Sequence, residues 1–231
     1  MSATFYKILR ILAILFMSFA VALTLLGGIG STCAAFLTAN FASMSPLLPY
    51  RCLYQLLVVT SVLVGVWGIR ALIGLVKGKA WAFRESILVL VIGGVSALTQ
   101  IIASRTLRGS SMPTDVRLYA TVLALIVFLI LRLPGIWEKV QFNRQHENLK
   151  GSAGGLVMIN LGLTVLTVHL WAAPSHIFDG LNYANVWNLP LTVAGAILMI
   201  FGFSLTINSF PTVSTTESKF ISGQPESSGT I

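Results

Sequence analysis

The chain has 231 residues, with 10 % charged, 55 % apolar, 20 Gly and a mean hydropathy of +0.86. A soluble domain carries roughly 25 % charged residues, and a chain so poor in charge cannot cover a water-facing surface, so its surroundings are mostly lipid. Soluble enzymes, disordered hubs and disulfide-dense secreted modules are excluded, and the net charge of +8 speaks for membrane insertion, not for a nucleic-acid partner.

A helix needs about 20 mostly apolar residues to cross roughly 30 Å of hydrocarbon. The first such stretch, 11–30, holds no charge. The following 31–50 is studded with polar residues and ends in two prolines, which predicts an outer loop with a short interfacial helix. Residues 53–76 hold only Arg70, and 86–104 are uncharged between Glu85 and Arg105. Residues 118–137 carry only Arg132, while 152–172 and 187–207 carry no formal charge. All six are continuous apolar runs without strand-length alternation, so they read as helices and not as barrel strands. The expected fold is all-α: a polytopic transmembrane bundle of six spans occupying residues 1–210. The Ser/Thr-rich stretch 211–231 is expected to be a flexible cytoplasmic tail.

Orientation follows from the cations. With the N-terminus inside, Lys7, Arg10, Arg70, Lys77, Lys79, Arg84, Arg132, Lys139, Arg144, Lys150 and Lys219 are cytoplasmic. Arg51, Arg105, Arg108 and Arg117 are then outside, an 11-to-4 split that matches the positive-inside rule. A second crossing within 31–50 would leave 6 inside against 9 outside and is rejected. Both termini are thus expected in the cytoplasm, in a plasma or inner membrane. Thr32–Cys33–Ala34 has the small residues of a cleavage site, but the preceding apolar run exceeds the 7–15 residues of a signal-peptide core, so a retained anchor is expected.

Ionisable residues inside a bilayer are costly and therefore candidates for function. Arg70 and Arg132 lie near the cytoplasmic ends of their spans, where snorkelling suffices; facing each other, with Lys77, Lys79 and Arg84 nearby, they would hold an anionic headgroup. Arg105, Arg108 and Arg117 form a second basic cluster in RTLRGSSMPTDVR, read as a solvated outer loop or as a dock for an acidic partner. No Asp or Glu lies inside any span, which argues against carboxylate-coupled transport.

His169 is the sole histidine within a span, so a bis-histidine haem is not available and a single axial ligand is the sharpest role open to it. Gln100 and Asn160 are the strongest uncharged polar groups in the spans, read either as interhelical glue or as a polar seam for a small solute. Cys33 and Cys52 flank the first outer loop, and a disulfide there would close an 18-residue interval worth about 3 kcal/mol. Four of the five tryptophans sit near span ends, as an aromatic belt requires. Gly74/Gly78, Gly151/Gly155 and Gly93/Ala97 carry the small-xxx-small spacing of close helix approach.

No catalytic triad, phosphate loop or metal cluster can be assembled, so no cofactor and no metal are expected. The expected partners are the lipid bilayer and other membrane subunits or further copies of the chain. The leading expectation is a non-catalytic accessory or assembly subunit. A facilitator or channel for a small neutral or anionic solute is the alternative, and a cofactor-carrying redox or pigment subunit the third.

Overall fold

The computed structural model describes residues 3–140, 142, 147–178 and 180–209; the expected tail, 211–231, lies outside them. In hydrocarbon every backbone N–H and C=O must find its partner within the protein, and a helix does this within one segment. Accordingly the apolar runs form long helices. α1 (Ala3–Gly30) runs through Ser31 into the short α2 (Thr32–Phe36). Two 3-10 segments, Thr38–Asn40 and Ala42–Tyr50, then lead to α3 (Arg51–Val76). Gly78, at φ 66°, turns the chain into α4 (Ala82–Arg108), which ends on Gly109 at φ 72°, a left-handed conformation that suits glycine. α5 (Thr114–Leu131) and the single-turn α6 (Trp137–Val140) follow.

The remainder comprises α7 (Glu147–Leu166), α8 (Val168–Ala172), α9 (Tyr183–Val186) and α10 (Asn188–Ile207). Between α8 and α9, Ile177–Phe178 pairs antiparallel with Leu181–Asn182, Ile177 opposite Asn182. Helices α1, α3, α4 and α5 form the centre of the bundle, α7 leans mainly on α1, and α10 leans on α7. The ends of α1 and α4 and the starts of α3 and α5 meet at what is here called the distal end, opposite the N-terminus.

Five helical segments are long and apolar enough to cross a membrane: Thr4–Phe36, Met44–Val76, Ala82–Arg108, Thr114–Leu131 and Asn188–Ile207. Gly151–Leu166 and Val168–Ser175 would make a sixth if the bent pair counts as one span. Two expected boundaries need correction. The span placed at 118–137 is a helix from Thr114 to Leu131, because Pro134 and Gly135, the latter at φ 85°, end it before Trp137. The stretch 152–172 is not one straight helix. It bends by 43° at Thr167, whose hydroxyl donates back to the carbonyls of Leu163 and Thr164 and diverts the local backbone pattern.

Lipid tails are as apolar as leucine, so helices that cross a membrane associate through close fit and not through expulsion of water. On the α1–α3 seam Gly65 accommodates Leu25, and Gly68 accommodates Val21. The α7–α10 pair is tighter still. Gly155 faces Gly202 and Gly162 faces Gly195, each pair one heptad from the other on antiparallel helices. A Cβ on Gly162 would stand 2.7 Å from the Gly195 carbonyl oxygen, and one on Gly202 would stand 2.7 Å from that of Gly155. The proximal half of the bundle is filled by Ile14, Met17, Phe83, Phe128 and Leu131. Arg10 is also buried there, with its guanidinium 5.5 Å from the Phe142 ring and Nη2 donating to the Leu75 carbonyl at 3.4 Å.

Gly162→Leu should therefore force α7 and α10 apart, at a cost of about 1–3 kcal/mol. Gly154→Ala, whose new Cβ would meet only Val76 at 3.8 Å, should be nearly neutral. Thermal unfolding of the two variants in lipid nanodiscs checks the contrast.

Candidate functional site

The chemistry of the chain gathers at the distal end. α4 and α5 are joined there by a short turn held by side chains. Arg105 Nη2 donates to Asp115 Oδ1 at 2.8 Å, Ser111 Oγ donates to Asp115 Oδ2 at 2.6 Å, and Arg105 Nε donates to Ser111 Oγ at 2.9 Å. Asp115 is thereby committed to the turn. Its neighbour two positions on, Arg117, leaves on another face of α5 and enters the bundle.

Arg117 is 2 % exposed. Its Nη1 donates to Ser61 Oγ on α3 at 2.9 Å, and Nη2 donates to the Gly93 carbonyl on α4 at 3.3 Å. Gly27 on α1 makes the room: a Cβ there would stand 3.3 Å from Arg117 Cδ. Nε–H has no hydrogen-bond partner, and among the described residues no carboxylate pairs with this guanidinium. An arginine stays charged in a protein. The bundle thus buries a full positive charge against neutral acceptors alone.

Arg117 borders a cavity of about 550 Å³ between α1, the α4–α5 turn, α8 and α9. That volume is in the range of sites that take a small organic ligand, about 300–1,000 Å³. Its apolar wall includes Leu23, Leu26, Ile29, Met44, Trp171 and Trp187. Gln100, Ser104, Arg108 and His176 supply polar groups, and among the described residues no Asp or Glu lines it. Gln100 is buried and donates to Ser31 Oγ at 2.7 Å; Ser104 Oγ lies 2.9 Å from the Tyr54 hydroxyl. His176 Nδ1 lies 2.8 Å from the Ala172 carbonyl oxygen. The Ser175 hydroxyl lies 3.0 Å from the same Nδ1, and Nε2 lies beside Gly30. Inward the cavity gives way to the packed core around Met17, Phe83 and Phe128.

The residues expected from sequence fall into separate places. Arg117 is not part of a solvated loop, because α5 begins at Thr114 and carries its side chain inward; this corrects the reading of RTLRGSSMPTDVR. Arg105 is paired within the turn, while Arg108 stays exposed at the cavity margin. Gln100 meets α1 at Ser31, whereas Asn160 donates to Leu15 O at 3.2 Å and to Ser18 Oγ at 2.6 Å. Those anchor points lie about 20 Å apart along α1, so each amide ties a different helix to it.

At the proximal end Arg70 pairs with Glu85 at 3.5 Å and stacks over Trp81 at 5.0 Å, whereas Arg132 lies over Trp137 at 5.5 Å. The two cations have different partners and do not form one site. Lys77 and Lys79 lie in the α3–α4 turn, and Arg84 lies in the first turn of α4. His169 lies on α8 with Nδ1 buried and unpartnered, away from the cavity wall. Cys33 and Cys52 are free thiols in this structure; Cys33 is half-buried on the cavity wall and Cys52 is exposed.

The sequence left the burial of Arg117 unread because a cation beside a loop normally turns toward water. The one available signal was local. Asp115 and Arg117 differ by two positions, so on a helix they point to different faces, and only one of them can hold the turn. No protein-family model matches the chain, and no curated protein or solved structure is detectably similar to it.

Asp115→Ala should loosen the α4–α5 turn by about 1–3 kcal/mol, the range for hydrogen bonds to a charged, buried group. Arg105→Ala should cost less, because that side chain is mostly exposed and its charge is screened. Midpoints of thermal unfolding measured side by side test the order.

Proposed function

We propose that this integral membrane protein is a non-catalytic binding protein, a receptor or facilitator, that takes an anionic solute into its distal cavity. The observation that carries the reading is Arg117: among the described residues, a buried cation without a carboxylate, bordering a cavity lined by no acid. An uncompensated buried charge is expensive, and an anion entering the cavity would relieve that cost at the moment of binding. Six crossings, with α7 and α8 as one bent span, and both termini in the cytoplasm would turn the cavity to the outer face, as the 11-to-4 distribution of cations favours. The packed proximal core supports a site open at one end in this conformation, not an open channel.

Cys33 offers a direct test, since it lies on the cavity wall. In a Cys52→Ser background, a negatively charged methanethiosulfonate should label Cys33 at least about tenfold faster than a positively charged one, as a cationic cavity concentrates anions. Arg117→Gln should remove that preference. Equal rates for both reagents would sink the reading.

A second reading, an accessory subunit packed laterally in a larger complex, is supported by α10. Only 11 % of its most apolar stretch is buried, against 39–56 % in the other four long apolar segments. Native mass spectrometry from mild detergent should then show a stoichiometric partner or a second copy. A lone monomer speaks against it.

A further inference from the structure

Resting on that reading, we infer that the occupant of the distal cavity is a monoanionic amphiphile: one carboxylate or phosphodiester at Arg117, with an apolar chain along the α1 and α8 walls. The charge of the site sets the first half of this. Among the described lining residues Arg117 is the one fully buried cation, Arg108 is exposed at the margin, and none is acidic. One negative charge is therefore neutralised, and a second would be desolvated without a partner. The Arg117 Nε–H is buried and without a partner, so an oxyanion that reaches it, taking directed hydrogen bonds, suits the site better than a spherical ion.

The walls set the second half. Leu23, Leu26 and Ile29 present successive turns of α1 to the cavity, and Val168, Trp171 and Leu191 face it from α8 and α10. A small hydrated anion would gain nothing from these side chains and would leave most of the volume unfilled. A chain of methylenes gains from these walls in proportion to the area that it withdraws from water. Gly30 keeps this wall open: a Cβ there would reach His176 Nε2 at 3.4 Å, so a longer side chain would project into the space that the chain would use.

The test uses the full protein in phosphatidylcholine nanodiscs, with 10-bromodecanoate as probe. Trp171 and Trp187 line the cavity, so a bound bromine quenches their fluorescence. Saturable quenching is expected, about tenfold weaker for 10-bromodecanol, which keeps the chain but lacks the charge, and about tenfold weaker in Arg117→Gln. Arg117→Lys should retain binding to within a few fold. Gly30→Leu should weaken the probe while leaving the charge preference at Cys33 intact. Acetate at a hundredfold excess should not displace the probe. Phosphatidylglycerol added to the disc should displace it if the natural occupant is a lipid headgroup, and should not if it is a free carboxylic acid.

Displacement by acetate or chloride as strongly as by decanoate would overturn the amphiphile while leaving an anion site at Arg117. Equal quenching by the acid and the alcohol, unchanged in Arg117→Gln, would overturn both. The acid–alcohol and acetate comparisons need only the wild-type protein, so a variant that fails to fold does not remove the test.

Discussion

Inside hydrocarbon no water competes for a hydrogen bond, and the hydrogen bonds of most buried polar side chains described along these apolar helices fit that constraint. Serines and threonines along the helices, such as Thr24, Ser61, Ser86 and Thr121, donate to carbonyls one turn back on their own helix. Ser18 donates to Leu15 O and also accepts from Asn160; Ser31 donates to Gly27 O and accepts from Gln100. A hydroxyl that first satisfies its own helix can thus still receive a neighbour's amide. This is how α7 and α4 are each fastened to α1, by bonds worth about 0.6–2 kcal/mol apiece in a membrane.

Arg117 uses the same device at higher cost. Ser61 Oγ, already donating to Leu57 O, accepts from Nη1. The Gly93 carbonyl accepts from Nη2, and Gly27 yields space for the stem. Three helices are therefore shaped around one side chain of a fourth. The acceptors are neutral, so they orient the guanidinium without cancelling its charge. Arg70 and Arg105 have Glu85 and Asp115 beside them. The proposed binding site is the place where this economy of partners stops short.

Helix contacts divide into two kinds. Around α1 the seams mix side-chain hydrogen bonds with close approach at Gly65 and Gly68. Between α7 and α10 the backbones themselves nearly touch at two glycine pairs, and α10 presents its remaining surface outward, with Leu189, Ile200, Phe201 and Ile207 all exposed. The α7–α10 hairpin is a tight unit set on the flank of the bundle, and its α8–α9 link closes one wall of the cavity.

Composition and the lengths of the apolar runs determined by themselves that the chain is helical and suited to a membrane, because charge-poor runs of about 20 residues are long enough to cross hydrocarbon as helices and too apolar to face water. They also located α3, α4 and α10 to within four residues at either end, whereas α1 begins eight residues before the expected 11 and Pro134–Gly135 cut the fourth run short. The bend at Thr167 escaped because a threonine that bonds back to its helix leaves no hydropathy signal. The glycine pairs 155–202 and 162–195 escaped because a heptad of glycines acquires meaning only opposite another. Above all, the sequence shows Arg117 as one more cation beside a loop, whereas the fold makes it the buried charge of a cavity. That difference is tertiary by nature. Which way a side chain faces at a helix start depends on what the neighbouring helices offer it, and here they offered an oxygen on α3, a carbonyl on α4 and a space on α1.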